Sequence, residues 1–274
     1  MSFLEAIVLG VVQGLTEFLP ISSTAHLRIV PALFGWADPG ARFTAVIQLG
    51  TMAAVVLFFW HDLVRVATTW TRSLTRRELR GELNARMGWY LIIGTIPIVI
   101  FGFLFRHQIE NGARSLYLMG ISLIAFGLIL GAADWWGSKK RPVESVGRRD
   151  AIVMGLAQAL ALIPGVSRSG ATITAGLFLG LTREAAARFS FLLAIPAIVL
   201  SGLYELVKIL GEPADRAIGL GPIFISTLVA FAVGYASIAF LLRWLVRHTM
   251  YIFVVYRVAV GLIILILAGS GAIA

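Results

Sequence analysis

The chain has 274 residues, 59% of them hydrophobic and only 14% charged, and its mean hydropathy is +0.90. A soluble domain is nearer half apolar and a quarter charged, so this composition excludes a soluble globular fold and asks a bilayer to cover part of the apolar surface. The net charge of +9 does not point to nucleic acid, because the basic residues lie between apolar runs, and the lack of cysteine removes disulfides, thiolate metal sites and a cysteine nucleophile.

In chain order, the first apolar run is Phe3–Leu19. It carries Glu5 and Glu17 and has neither a basic leader nor a small-residue cleavage site, so it is not read as a removable signal peptide. The break Pro20-Ile21-Ser22-Ser23 separates it from a second short run, Thr24–Gly35. Three runs long enough to span follow: Phe43–Trp60, Gly88–Phe105 and Leu116–Asp134. The pattern then recurs. Asp150–Ile163 and Ser169–Leu181 flank the break Pro164-Gly165-Val166-Ser167-Arg168, and three more spans follow at Phe189–Val207, Gly221–Leu242 and Tyr251–Gly269. Each span has about 18 residues or more, which at about 1.5 Å per residue approaches the ~30 Å hydrocarbon core. A short helix, a polar break and a second short helix predict a re-entrant hairpin. Irregular backbone at that depth is tolerated only inside protein or against a wet cavity.

The halves repeat. Ala6-Ile7-Val8-Leu9-Gly10-Val11-Val12-Gln13 matches Ala151-Ile152-Val153-Met154-Gly155-Leu156-Ala157-Gln158, and Ala41-Arg42-Phe43-Thr44 matches Ala187-Arg188-Phe189-Ser190, both at a spacing of about 145 residues. The expected fold is therefore an all-α polytopic membrane protein forming a single integral membrane domain over 1–274. Repeat one covers about 1–135, a linker about 136–149, and repeat two about 150–274. Three spans per half is odd, so the repeats are expected to be inverted, with a site near the midplane.

Charge predicts orientation. Arg65, Arg72, Arg76, Arg77, Arg80 and Arg86 fill the segment His61–Met87. Lys139, Lys140, Arg141, Arg148 and Arg149 fill Trp135–Arg149, and Arg243 and Arg247 precede Tyr251. The intervening loops hold only Arg106 and Arg114, and Lys208 and Arg216. The three basic segments are expected to be cytoplasmic, with both termini outside. The first hairpin then enters from outside and the second from the cytoplasm.

Glu17 is the one carboxylate deep inside an apolar run, and Gln13, four residues earlier, shares its helical face. A carboxylate in lipid is costly unless paired, which makes it a functional candidate; the plain alternative is a packing hydrogen bond. Ser22, Ser23 and Thr24 follow Pro20, with His26 close behind. A helix N-cap would explain one of these hydroxyls, not three. Ser167-Arg168-Ser169-Gly170-Ala171-Thr172 has the chemistry of an anion site: a guanidinium fork, the free N–H groups of a helix start, and glycines that let a ligand approach. The alternative for Arg168 is snorkelling to the surface. Arg42, Arg183 and Arg188 lie near span ends and are expected to anchor the interface. A phosphate between the two breaks would meet a hydroxyl nucleophile, a base, a carboxylate and a fixed cation, the equipment for phosphoryl transfer.

Gln13-Gly14-Leu15-Thr16-Glu17-Phe18-Leu19-Pro20-Ile21-Ser22-Ser23-Thr24-Ala25-His26 resembles the first signature of the bacterial undecaprenyl-pyrophosphate phosphatases, also called bacitracin resistance proteins. Pro164-Gly165-Val166-Ser167-Arg168-Ser169-Gly170-Ala171-Thr172 resembles the second. The resemblance covers nearly the whole chain. It implies dephosphorylation of undecaprenyl diphosphate to the monophosphate carrier of cell-wall synthesis, bacitracin resistance, and dependence on a divalent cation, Mg²⁺ or Ca²⁺. It implies Ser23 as nucleophile, with His26 as base, acid or the nucleophile itself. Glu17 would bind the cation or move a proton, and Gln13 would support the cation. Arg168, Ser167, Ser169 and Thr172 would hold the diphosphate, with Ser22 and Thr24 nearby. Many relatives have Glu where this chain has Gln13, and Ala25 replaces a commoner Gly. The neutral Gln13 weakens any scheme needing two carboxylates. The expected setting is the bacterial cytoplasmic membrane, with the site opening to the extracytoplasmic side, membrane lipid and the polyprenyl diphosphate as partners, and a homodimer as one assembly open to it. The competing readings are a flippase or transporter of a polyprenyl phosphate, which rests on the repeat, and a channel or ion-coupled carrier using Glu17 as a proton relay, which leaves Arg168 and the serines unexplained.

Overall fold

Local chemistry starts and stops the helices. In the computed structural model, which describes residues 1–106, 115–211 and 219–273, helix α1 (Phe3–Phe18) begins with a reciprocal cap: Ser2 Oγ accepts from the Glu5 N–H at 3.3 Å and Glu5 accepts from the Ser2 N–H at 3.2 Å. Pro20 follows its end, and α2 (Ser23–Phe34) restarts after the break and stops at Gly35, whose φ of 66° suits glycine. Arg114 and Arg216, and the side chains of Arg42 and Lys208, lie outside the described residues.

Helix α3 (Gly40–Phe58) runs into α4 (Trp60–Thr75) with a bend of 75°. The segment after His61, expected as a loop, is thus largely helical. Leu63 and Val66 pack on the core while Arg65 and Arg72 stay exposed, and Arg80 closes the helix by donating to the Ser73 and Leu74 carbonyls. Helices α5 (Leu83–Leu104) and α6 (Leu116–Trp136) complete the first half. In the second half, the Asp150 carboxylate accepts from the Gly147 N–H at the start of α7 (Arg148–Ala159), and a 3₁₀ turn at Leu160–Leu162 leads to the second break. Helices α8 (Arg168–Phe178), α9 (Arg183–Gly211), α10 (Leu220–Leu245) and α11 (Tyr251–Gly269) follow. The described residues contain five helices long and apolar enough to cross a membrane: α5, α6, Arg183–Gly202 of α9, α10 and α11. The bent α3–α4 pair makes a sixth if counted as one span. Five of the six predicted spans fall on these five helices; the other, Phe43–Trp60, falls on α3, which is long and apolar enough only together with α4.

The packing crosses between the halves. Helix α1 lies along α10, and α7 lies along α5. Small residues permit the approach: a Cβ at Gly10 would meet the Ser226 carbonyl at 2.7 Å, and a Cβ at Gly155 would collide with the Gly94 backbone. Helices α3 and α9 pack on one another in the middle, where Phe18, Phe59 and Phe191 form part of the main core. Arg183 and Arg188 make interhelical ion pairs beyond any anchoring role. Arg183 donates to Asp134 at 2.5 and 3.1 Å, and Arg188 to Asp62 at 2.5 Å.

Candidate active site

Two helix starts meet beside the end of α1. Helix α2 begins after Ser22 and α8 after Ser167. These two serines share an unusual backbone, with φ of 76° and 72°. A left-handed conformation costs a residue with a side chain about 1–3 kcal/mol and persists only where its surroundings fix it. Here several side chains do so. Ser167 Oγ accepts from the Gly170 N–H at 3.1 Å. His26 Nδ1 lies 2.7 Å from the Ser22 carbonyl. That oxygen can only accept, so Nδ1 carries a proton, and in the neutral ring Nε2 accepts from the Tyr256 hydroxyl at 2.7 Å.

Arg257, completely buried in α11, reaches into both breaks. Its guanidinium donates to the carbonyls of Pro20 at 3.0 Å, Gly165 at 3.2 Å and Val166 at 3.0 Å, and to Leu123 and Ser122 of α6 at 3.2 and 3.5 Å. Ser169, in the first turn of α8, adds a direct stitch to the end of α1, its Oγ donating to the Leu19 carbonyl at 3.1 Å.

Glu17 stands at the junction, with each carboxylate oxygen accepting two hydrogen bonds. Oε1 takes Arg168 at 2.7 Å and Gln48, from α3, at 3.0 Å. Oε2 takes Ser23 Oγ at 2.8 Å and Gln13 at 3.1 Å. The carboxylate is nearly inaccessible while the Arg168 side chain is partly open. The full set of donors compensates a burial that would otherwise expel the charge.

A cavity of about 550 Å³ opens on this network. Glu17, Ser22, Ser23, Thr24, Gln48, Ser167 and Arg168 form its polar end, and residues of α5, the Leu160–Leu162 turn and α9 form its apolar walls. The N-termini of α2 and α8 both contribute to the polar end, which favours a bound anion. The Ser22 hydroxyl there is buried and finds no partner among the described residues.

Of the sequence-derived candidates, Glu17, Ser23, Arg168, Ser22, Thr24 and Ser167 share this cavity. Gln13 stands behind Glu17, with its Oε1 buried and unpartnered among the described residues. Ser169 and Thr172 turn away: Thr172 Oγ1 donates to the Arg168 carbonyl at 2.8 Å and pairs with Ser190 at 2.5 Å. His26 makes no hydrogen bond to Ser23 or Glu17, since its ring nitrogens face Ser22 and Tyr256. Three residues of the network were not singled out from sequence: Gln48, Tyr256 and Arg257. Arg257 had a signal, because a lone cation in the apolar run Tyr251–Gly269 is as conspicuous as a lone carboxylate. Gln48 carried a weaker one, as the only amide side chain in its span.

A family model described as "Bacitracin resistance protein BacA" matches residues 6–263. Among curated proteins, the chain is 55% identical to an undecaprenyl-diphosphatase of Nocardioides sp. over 272 residues, covering 99% of this chain and 98% of the other. It is 53% identical to undecaprenyl-diphosphatase 2 of Frankia casuarinae, covering 100% and 97%, and 50% identical to the undecaprenyl-diphosphatase of Nocardia farcinica, covering 100% and 98%.

Proposed function

Because the chain belongs to the bacitracin resistance protein family, we infer that it is an undecaprenyl-diphosphatase, hydrolysing undecaprenyl diphosphate to undecaprenyl phosphate and inorganic phosphate. This returns the lipid carrier to cell-wall synthesis and opposes bacitracin. The observation that carries the reading to the residues is the single network Ser23–Glu17–Arg168 on the wall of one cavity.

The chemistry follows from that network. The terminal phosphate lies between the two helix starts, with its oxygens facing the open side of Arg168, Ser167 and the backbone N–H groups. Ser23 Oγ attacks the phosphorus, and Glu17 Oε2, already its hydrogen-bond acceptor, takes the proton. The bond from phosphorus to the bridging oxygen breaks, and the lipid monophosphate leaves with that oxygen. Water then attacks the phosphoserine, releasing inorganic phosphate and restoring the hydroxyl. Arg168 opposes charge on the transferring group. His26 and Tyr256 act on the Ser22 backbone. Direct acid or base work by His26 requires its Nε2 to leave the Tyr256 hydroxyl.

A divalent cation fits this donor set as a partner of the substrate. Among the described residues no three or more acidic or histidine side chains form a cage. Mg²⁺ commonly takes one or two carboxylates, water and substrate phosphate oxygens. Glu17 would be the direct ligand if it exchanged one of its four donors for the cation, a role alternative to taking the Ser23 proton, and Gln13, with its unpartnered Oε1, would orient it or a bound water. The cation would neutralise the diphosphate and polarise its oxygens.

Several features support two inverted repeats, about 1–135 and 150–274, joined by a linker at about 136–149, each with a re-entrant hairpin. Ser22 and Ser167 share their backbone conformation at the repeat spacing. The packing of α1 on α10 is mirrored by α7 on α5, with Gly10 and Gly155 at the same offset. The cavity takes in Gly102, Phe103 and Arg106 at the end of α5 remote from the arginine-rich segment, which supports an extracytoplasmic opening in the bacterial cytoplasmic membrane and outer termini. Membrane lipid is its surrounding partner, and a homodimer is the assembly to test.

Phosphate release from undecaprenyl diphosphate by the purified protein with Mg²⁺ or Ca²⁺ tests the activity. The Ser23→Ala and Arg168→Ala variants test the site, and a loss of twofold or less in either overturns it.

A further inference from the structure

The cavity walls hold two cations, Arg168 at the inner end and Arg106 beside the end of α5. Arg168 is already paired with Glu17, so the inner end is close to electrically balanced. A lipid diphosphate brings two phosphates, and only the terminal one is transferred. The other stays on the lipid and faces outward, towards the apolar walls that must accept the prenyl chain. Those walls include Val99, Phe103, Leu162 and Leu200. Arg106 stands among them, its guanidinium 5.5 Å from the centre of the Phe103 ring, which steers the long side chain along the wall.

We propose that Arg106 binds the lipid-proximal phosphate: it holds the phosphate that departs with the lipid, while Arg168 holds the phosphate that is transferred. The inference rests on the diphosphatase reading. When the bond from the terminal phosphorus to the bridging oxygen breaks, the electron pair goes to the leaving lipid monophosphate, and Arg106 opposes the charge that develops there. The same contact makes Arg106 a determinant of specificity for a diphosphate over a monophosphate ester, because an ester with one phosphate cannot engage both arginines. Arg106 is exposed, so its substitution leaves the packed core untouched.

The test uses purified full-length protein and the variants Arg106→Gln and Arg106→Lys. One readout is hydrolysis of undecaprenyl diphosphate. The others are inhibition by undecaprenyl phosphate and by inorganic phosphate, with direct binding of undecaprenyl phosphate. Loss of a charge-assisted contact at a partly open site predicts that Arg106→Gln lowers kcat/KM about tenfold and weakens binding of the lipid monophosphate by a similar factor. Inhibition by inorganic phosphate stays within twofold of wild type, and Arg106→Lys recovers part of the loss. The proposal is overturned if lipid monophosphate binding changes less than twofold, or if both inhibitors weaken equally. Wild-type protein that binds the lipid monophosphate through Arg106 but releases no phosphate from the diphosphate would refute the activity and leave the phosphate site standing.

Discussion

Replacing Arg257 by Met is the sharpest test of what holds the site together. The side chains are close in length, so the volume change is small, but five carbonyls lose a charged donor at 3.0–3.5 Å. Three of them, on Pro20, Gly165 and Val166, belong to the breaks, where no regular helical ladder can take them over. A hydrogen bond from a charged group contributes about 1.5–3 kcal/mol, and an orphaned buried acceptor costs about 1–3 kcal/mol. Removing the cation also removes its own desolvation penalty, so the net loss is on the order of 3–5 kcal/mol, as for other broken buried networks. For a chain of this size that lowers Tm by on the order of 10 °C. The chemistry suffers more, because the arginine sets the distance between the two breaks. A displacement of about 1 Å can cost about 100-fold in rate. Thermal unfolding and phosphate release, measured on wild type, Arg257→Met and Arg257→Lys in the same detergent, check both effects. The Lys variant, which keeps the charge but reaches fewer carbonyls, is expected to fall between. If Arg257→Met keeps its Tm within 2 °C and its kcat/KM within threefold of wild type, the stapling role is refuted.

Ser23→Ala should lose at least about 100-fold in kcat with little change in Tm, because it removes the nucleophile and a single hydrogen bond; a phosphate-release assay with thermal unfolding separates the two effects. Glu17→Gln keeps the shape but not the charge, leaving Arg168 unpaired and Ser23 without a base, so activity should fall by about 100-fold or more, with Ser23 unlabelled by radioactive lipid diphosphate. Tyr256→Phe should lose several-fold, and His26→Ala should lose somewhat more because it also frees the Ser22 carbonyl; a loss of about 100-fold or more in His26→Ala with Tyr256→Phe near wild type would argue for direct chemistry at His26 Nε2. Gly155→Ala should cost about 1–3 kcal/mol through collision with the Gly94 backbone, read as a lowered Tm. Chelation should abolish turnover, with recovery on adding Mg²⁺ or Ca²⁺.

Much of the architecture was legible because apolar runs in a membrane chain have little choice of structure. Tyr251–Gly269 matches helix α11 from end to end. The breaks were legible for the same reason: proline, glycine and serine clusters stand out in such runs. Helix α4 was less visible, because its arginines masked an apolar stripe that packs largely on α5. At the site, residue types identified the anion chemistry but not the direction each side chain takes. Ser169 and Thr172 suit phosphate, yet each spends its hydroxyl on nearby backbone or a neighbouring side chain. His26 lies three residues from Ser23, and its helix nonetheless aims the ring at α11. Arg257 and Gln48 reach the site from distant spans, and no spacing rule links them to it.

The Glu17–Arg168 pair also has a history during synthesis. Its partners are 151 residues apart, so at about 5–20 residues per second the carboxylate waits about 8–30 s for its counterion. The donors that reach it first come from the same half: Gln13 is four residues away, Ser23 six and Gln48 thirty-one. These neutral groups can accompany the acid through insertion before any cation arrives. The network thus doubles as an assembly order, in which the first half carries a provisional set of partners and the arrival of the second completes the charge.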